Sequence, residues 1–139
     1  MSFRFEPIGR VRTAAESVPR HWSLSDVEGD LVIDEAYREG LTDIHPGQKL
    51  IVLFVFHRSP EFDRADLRQT PPNRENAMGV FSICSPRRPN PIGLSVLDVL
   101  GVRGSLIRVR GLDMLDGTPI LDLKPWIEGE RECPSRERD

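Results

Sequence analysis

The run from Lys49 to Phe56, KLIVLFVF, constrains the fold more than any other part of this sequence. It is rich in β-branched and aromatic residues, and its apolar side chains occur at both parities along the run. That pattern is typical of a strand covered on both faces, whereas a half-exposed strand alternates apolar and polar residues. The run therefore predicts a strand buried on both sides.

Six further runs have the same β-rich composition and are separated by proline and glycine turns. They span Phe5 to Arg12, Asp30 to Asp34, Met78 to Ile83, Ile92 to Leu100, Leu106 to Leu112 and Pro119 to Leu123. Arg103 and Gly104 predict a hairpin turn between two of them. The only good helical stretch is short, from Asp34 to Leu41. This succession predicts a mainly all-β domain, an antiparallel barrel or sandwich with few short helices.

The length of 139 residues suits one domain, which we expect over residues 1–127, followed by a charged, flexible tail over residues 128–139. The longest apolar run has seven residues, far fewer than the roughly 20 that span a bilayer. No secretory signal is visible, so we expect a cytoplasmic protein without a membrane partner. Cys84 and Cys133 lack the spacing of a metal site, and we expect no metal.

Charge is distributed unevenly along the chain. The net charge is −3, yet the segment from Arg64 to Arg110 contains eight arginines against Asp66, Glu75 and Asp98, a local balance of +5. Arginine forks match phosphates and stack on bases, so this excess suits an RNA partner. An ordinary solvated surface would show the same excess. Part of it lies in a long polar connection, residues 59–76, of a length that is usually functional or disordered.

The stretch from Ser85 to Ser95, SPRRPNPIGLS, is the most unusual in the chain. Its three prolines fix their own φ angles and push each preceding residue towards extended conformations, so Arg88 and Asn90 sit on stiff backbone. A rigid backbone lowers the ordering cost of binding. The two adjacent arginines suit phosphates, and the asparagine amide suits an adenine edge or a carboxylate. The alternative is a proline-rich connection into the strand at Ile92.

A second motif, LDMLDGTPILDLKPW, extends from Leu112 to Trp126. Asp116 and Gly117 signal a turn in which the glycine takes positive φ. Such a turn would expose the Asp116 carboxylate, backbone amides and the Thr118 hydroxyl to a ligand. The same segment also carries Asp113, Asp122 and Lys124, enough for an acid–base or hydrogen-bonding site. Taken alone, however, the motif is simply a good turn.

Two shorter stretches suggest ligand contacts. His57 and Arg58 follow the most hydrophobic strand, where a histidine is a core residue, a cofactor contact or a base. Arg20 and Trp22, within VPRHW, would clamp an aromatic ligand, or the indole anchors its loop to the core. The chain has no GxGxxG, GxxxxGK[ST], HExxH or paired CxxC, so neither a Rossmann site nor a P-loop is supported.

These motifs occur together in one known family. Gly79-Val80-Phe81, the RPNPIGLS string from Arg88 to Ser95 and the DGTP string from Asp116 to Pro119 resemble the TrmO/YaeB-like family with its TsaA-like domain. The resemblance covers roughly residues 5–127. The chain departs from the family pattern at Cys84, where arginine is usual, and at His21, where glutamine is usual.

The resemblance implies a small β-barrel, and the succession of β-rich runs predicts about six to eight mainly antiparallel strands in it. It implies a methyltransferase that uses S-adenosylmethionine and forms a homodimer with the cofactor near the subunit interface. The implied reaction is N6-methylation of threonylcarbamoyladenosine next to the anticodon of tRNA. The apolar positions Leu94, Val96 and Leu112 are available for the dimer face.

The resemblance also implies site residues. Cofactor contacts fall on Arg20, His21, Trp22, His57, Arg58, Cys84, Leu94, Asp116, Gly117, Thr118 and Pro119. Substrate contacts are expected from Arg68, Arg74, Arg87, Arg88, Asn90 and Lys124. No residue is singled out as the catalytic base, for which the candidates are Asp113, Asp116, Asp122, His57 and Asn90. Two alternatives stay open: a non-catalytic barrel that binds S-adenosylmethionine or RNA, and a methyltransferase with a different small acceptor.

Overall fold

The strands are short and joined by irregular loops. The structure, a computed structural model, describes residues 1–127, and the predicted tail over residues 128–139 lies outside that range. The strands are β1 Gly9–Arg12, β2 Glu28–Ile33, β3 Lys49–Val55, β4 Arg68–Gln69, β5 Met78–Gly79, β6 Ile92–Arg103, β7 Leu106–Arg110 and β8 Pro119–Pro125. No helix in residues 1–127 is long and apolar enough to cross a membrane.

Six of the strands close into a barrel in the order β1-β2-β7-β6-β3-β8, and β4 and β5 form a separate two-stranded sheet. Every pairing is antiparallel. The hairpin between β6 and β7 turns at Gly104, which has a φ of 60°. The prediction of a mainly all-β, small antiparallel barrel is therefore confirmed.

The core fills the barrel interior with apolar side chains from all six barrel strands. Leu50, Val52 and Phe54 of β3 point inward, and the alternate residues of the same strand are half-buried on its outer side. This explains why the run has apolar residues at both parities. The other fully buried core residues include Val11, Leu31, Leu97, Val99, Ile107, Val109, Leu112 and Ile120.

All four helical segments among residues 1–127 are 3-10 helices, at Trp22–Leu24, Glu35–Leu41, Arg64–Leu67 and Val80–Ser82. The predicted helix from Asp34 to Leu41 is one of them. The predicted strand from Met78 to Ile83 is wrong beyond Gly79, because the chain turns there and the Ile83 N–H donates to the Val80 carbonyl. Tertiary context overrides the strand propensity of these apolar residues.

The long polar connection, residues 59–76, is ordered. Asp63 begins the 3-10 helix Arg64–Leu67 with a capping box, in which its side chain accepts from the Ala65 N–H and Asp66 accepts from the Asp63 N–H. Strand β4 follows at once. The segment therefore has defined secondary structure and belongs to the folded domain.

The residues expected at a dimer face differ in exposure. Leu94 is 52% exposed, whereas Val96 is 5% exposed and Leu112 is fully buried in the core. The expectations for Val96 and Leu112 are wrong, because both side chains are buried within the chain itself, Leu112 in the barrel interior. Leu94 lies opposite Leu53 and beside the pair formed by Val55 and Ile92, so an apolar row follows the outer side of β3 and β6.

Candidate functional site

A large cavity opens where β3 ends and β6 begins. Its volume is about 1190 Å³, and we call it the barrel-end cavity. Its walls come from residues 16–22, 54–60, 69–72, 83–88, 92–94 and 113–118, although residues 116 and 117 do not line it. Segments far apart in sequence thus converge at one end of the barrel.

The cavity brings together many of the residues that the sequence motifs indicated. Those lining it are Arg20, His21, Trp22, His57, Arg58, Cys84, Arg87, Arg88, Leu94, Asp113 and Thr118. Those that do not line it are Arg68, Arg74, Asn90, Asp116, Gly117, Pro119, Asp122 and Lys124. Among residues 1–127, no three His, Cys, Asp or Glu side chains converge on a point that would hold a metal.

Asp113 places a half-buried carboxylate in the cavity wall. The Ser95 hydroxyl, itself fully buried, donates to its Oδ1 at 2.5 Å, and the Trp22 backbone N–H donates to the same carboxylate. Burial raises the pKa of Asp113, although the hydrogen bonds from Ser95 and Trp22 and the nearby His21 oppose the rise. The group is suited to accept a proton or to face a cation.

The backbone around Asp113 is fixed by the loop that carries Trp22. Gly111 has a φ of 107°, and its N–H and that of Leu112 donate to the Val27 carbonyl at 2.9 and 3.1 Å. The Ser25 hydroxyl donates back to the Leu112 carbonyl at 2.5 Å. These bonds join the end of β7 to the loop before β2, which brings the Asp113 carboxylate to the backbone of Trp22.

The aromatic part of the wall begins at the 3-10 helix Trp22–Leu24. His21 and Trp22 have ring centroids 4.9 Å apart with an interplanar angle of 34°. The His21 Nδ1 accepts from the Ser23 N–H at 3.3 Å, which caps the helix. Phe56 also lines the cavity and packs edge-on against Phe54 at 5.1 Å. Flat apolar faces of this kind suit a planar ring such as adenine.

The proline-rich loop forms another part of the cavity wall, and hydrogen bonds from its own Arg88 hold its backbone in place. The Arg88 Nη1 donates to the carbonyls of Ile83 and Ser85 at 2.8 and 3.2 Å. The Phe56 N–H donates to the Pro91 carbonyl at 2.9 Å, which joins the loop to the end of β3. Arg88 therefore orders the loop in this structure, and its contact with substrate stays a prediction.

Gln69 and Asp66 support the same loop and were missed by the sequence motifs. The Gln69 Nε2 donates to the carbonyls of Asp66 and Arg87 at 2.6 and 2.9 Å. The Asp66 carboxylate lies 3.7 Å from Arg87 Nη1. The residues in these contacts are as many as 18 positions apart along the chain, so no local sequence pattern predicts them.

The DGTP turn packs against β1. Gly117 has the predicted positive φ, 83°, and its N–H donates to the Val11 carbonyl at 2.8 Å. Asp116 is exposed, and its Oδ1 accepts from the Thr13 N–H at 3.0 Å. The expectation of an exposed Thr118 hydroxyl is wrong, because Thr118 is 3% exposed and its hydroxyl donates to the Leu115 carbonyl. The cofactor contacts of this turn stay predictions.

Asp122 and Lys124 pair with each other on β8, at 2.9 Å. The hydrogen bond to Asp122 raises the pKa of Lys124. Asp122 lies opposite Leu53, on the outer side of the barrel. Neither residue lines the cavity, so the cavity does not support Asp122 as the base or Lys124 as a substrate contact.

The exposed guanidinium groups differ in their partners. Arg20 and Arg58 line the cavity and form no ion pair within residues 1–127. Both are therefore available to a carboxylate or phosphate. Arg68 donates to the Ala77 carbonyl at 3.3 Å, and Arg74 is exposed.

A smaller hollow, of about 530 Å³, lies beside β1 and β2. Its two arginines, Arg12 and Arg108, both pair with Asp30, at 2.9 and 3.4 Å. Arg108 also lies 3.8 Å from Glu28, so two carboxylates face the two cations. This hollow therefore offers less to a ligand than the barrel-end cavity does.

The fold and the cavity define a small antiparallel β-barrel with a cavity at one end that is lined by a carboxylate and aromatic rings. The family model described as tRNA-methyltransferase O N-terminal domain matches residues 11–130. The chain belongs to this family, in agreement with the resemblance carried by its motifs.

Relatives differ in length and in what their names state. An S-adenosyl-L-methionine-binding protein of Archaeoglobus fulgidus is 37% identical over 87% of each chain. The tRNA (adenine(37)-N6)-methyltransferase of Escherichia coli K12 is 33% identical over 96% of this chain and 61% of its own length. A crystal structure of TrmO from Pseudomonas aeruginosa superposes with a TM-score of 0.74 at 27% identity, over all of this chain and 61% of that one. The chain thus spans about three fifths of these two longer proteins.

Proposed function

We propose that this chain binds S-adenosylmethionine in the barrel-end cavity and methylates the N6 nitrogen of an adenosine in tRNA. The observation that carries the proposal is the cavity itself, which combines an aromatic wall, a half-buried carboxylate and two arginines that form no ion pair with any residue of 1–127. The names of the relatives support both the cofactor and the reaction.

The residues present fit the chemical groups of this cofactor. Trp22 and His21 offer flat faces to adenine. The Asp113 carboxylate suits a positive sulfonium or ammonium, and Arg20 or Arg58 suits a carboxylate. When bound, the cofactor supplies an electrophilic methyl group, so that the protein's task is positioning and proton removal.

Asp113 is the residue best placed to accept the proton of the methylated nitrogen. A base is most effective when its pKa lies near the operating pH, and burial moves the pKa of this carboxyl in that direction. The Ser95 hydroxyl fixes its orientation. His57 also lines the cavity and is the second candidate, whereas Asn90, Asp116 and Asp122 do not line it.

The volume of the cavity supports a second ligand beside the cofactor. At about 1190 Å³ it exceeds the range of about 300–1,000 Å³ usual for a single small ligand. We propose threonylcarbamoyladenosine as the acceptor nucleoside, because its threonyl carboxylate would meet Arg20 or Arg58, neither of which has an ion-pair partner among the described residues 1–127. The proposed contacts to the tRNA remain Arg68, Arg74, Arg87, Arg88, Asn90 and Lys124. We propose that the reaction takes place in the cytoplasm.

A homodimer would explain the position of the DGTP turn. Asp116 and Gly117 are exposed and do not line the cavity of their own chain. We propose that in a dimer this turn reaches the partner's cofactor, with the apolar row around Leu94 at the interface. A turn of this kind supplies backbone amides as well as the Asp116 carboxylate.

One observation favours the alternative of a non-catalytic barrel. Cys84 lines the cavity where the family usually has arginine, so one positive contact is missing. The Archaeoglobus fulgidus relative is named only for cofactor binding. In this case the chain would bind S-adenosylmethionine without transferring its methyl group.

Calorimetry with S-adenosylmethionine tests the proposed site. We expect Trp22→Ala to weaken binding at least tenfold, because the indole is the largest ring in the cavity wall. Tyr37→Ala is the matched control, since Tyr37 is 47% exposed on the 3-10 helix Glu35–Leu41 and does not line the cavity. Wild-type affinity in Trp22→Ala would place the cofactor elsewhere.

A further inference from the structure

Phe81 presents an aromatic ring to solvent outside the barrel-end cavity. Its residue is 77% exposed, whereas its neighbour Val80 is 1% exposed. Both belong to the 3-10 helix Val80–Ser82, closed by the hydrogen bond from Ile83 N–H to the Val80 carbonyl. The buried valine anchors the turn, so that the exposed ring is carried on ordered backbone.

The ring lies within a basic part of the chain. Residues 64–88 contain five arginines against Asp66 and Glu75, a balance of +3. Arg68 pairs in register with Gly79, two residues before Phe81, and its guanidinium donates to the Ala77 carbonyl. Within residues 1–127, Arg74 makes no ion pair.

This basic segment is also continuous with the cavity. Gln69, which follows Arg68 in β4, lines the cavity and holds the Arg87 carbonyl. Ile83, two residues after Phe81, lines it as well. A ligand that leaves the cavity along this side therefore meets arginines and an exposed ring.

We propose that Phe81 is a stacking platform for an unpaired base of single-stranded RNA, with Arg68 and Arg74 contacting the adjacent phosphates. The proposal rests on the proposed function and deepens it by assigning a second base contact outside the cavity. Basic grooves interleaved with aromatic rings bind single strands in this way, because every base has a face to stack and every phosphate a charge.

Charge favours a polyanion over a second copy of this chain at this surface. A two-fold contact through Phe81 would bring two segments of +3 charge together, and like charges oppose such an interface. A phosphate backbone has the complementary sign.

Fluorescence anisotropy with a labelled anticodon stem-loop RNA tests the proposal. We expect Phe81→Leu, which keeps an apolar side chain but loses the ring, to weaken binding about tenfold, and Phe81→Trp to retain it. Leu24→Ala is the control, because Leu24 is equally exposed, at 79%, and lies outside the basic segment. A blunt, fully paired RNA duplex should bind wild type and Phe81→Leu alike, and S-adenosylmethionine affinity should not change.

Equal stem-loop affinity for wild type and Phe81→Leu would overturn the stacking role and leave the proposed function standing. A loss of dimer in Phe81→Leu by sedimentation would also overturn it, since the ring would then contact a second copy. Failure of the wild-type protein to bind the stem-loop would contradict the tRNA substrate itself.

Discussion

Asp113 combines partial burial with a fully buried hydrogen-bond donor. Ser95 and the Trp22 backbone hold the carboxylate in place, yet burial raises its pKa. An ionised carboxylate in a partly buried environment lowers the stability of the fold. Residues that are retained for function often have such a cost. Among the five candidates for the catalytic base, Asp113 is therefore the best supported.

We expect Asp113→Asn to raise thermal stability near neutral pH. Because the folded-state pKa lies above the ordinary 3.8, the folded protein binds more protons than the unfolded chain between those two values. Wild-type stability therefore falls as pH rises through this window, and the variant lacks that loss. Melting curves between about pH 3 and about pH 7 should show the advantage of the variant disappear in acid.

Glu35→Gln is the control of opposite sign. The hydrogen bond from Arg38 lowers the pKa of Glu35, so its contribution to stability is present above its ordinary pKa and is lost in acid. An Asp113→Asn protein that melts below wild type at neutral pH would show that the carboxylate is needed mainly for structure.

At the scale of elements, a glycine on β6 leaves room for a core phenyl ring of β3 beside the cavity. Gly93 lies opposite Phe54, and a Cβ on it would stand 2.2 Å from the phenyl ring. Phe54 is 3% exposed and belongs to the core, so the ring has little room to move. The glycine of the RPNPIG string is therefore required by packing.

Gly93→Ala should destabilise the fold by about 1–3 kcal/mol, the usual cost of overpacking a well-filled core. Gly79→Ala serves as the matched control, because Gly79 has a φ of −64° and nothing within 4 Å of an added Cβ. Urea denaturation measures both. Unchanged stability in Gly93→Ala would mean that the ring relocates at no cost.

Local patterns predicted the elements well where burial and sequence agree. The strand Lys49–Val55 was found because one of its faces is buried in the core and the other is half-buried. The segment after Gly79 was not, because Val80 and Phe81 have strand propensity but occupy a turn with one side chain buried and the other exposed. Whether an apolar residue faces core or solvent depends on packing that propensity does not contain.

The candidate site was predicted in part for a related reason. Rings, arginines and Asp113 are recognisable by residue type, and the cavity gathers most of them. Ser95 and Gln69 were missed because their partners lie 18 residues away, and the Asp116 contact to Thr13 spans 103 residues. Contacts across that distance arise from tertiary packing and leave no local signature.

At the scale of the whole molecule, the closed barrel gives a rigid frame and the loops at one end supply the chemistry. All six barrel strands contribute to one core, whereas the cavity walls come almost entirely from connections. The proposed dimer would add the DGTP turn of a partner to this end. Methyl transfer to tRNA by the assembled protein is therefore the central prediction.

The direct measurement is methyl transfer from labelled S-adenosylmethionine to bulk tRNA, followed by digestion to nucleosides and mass spectrometry. We predict label on an N6-methylated adenosine derivative with the wild-type protein, and loss of most of that label with Asp113→Asn. Binding of S-adenosylmethionine without label in any nucleoside would contradict the account. Absence of label from protein and small acceptors as well would identify the chain as a non-catalytic cofactor-binding barrel.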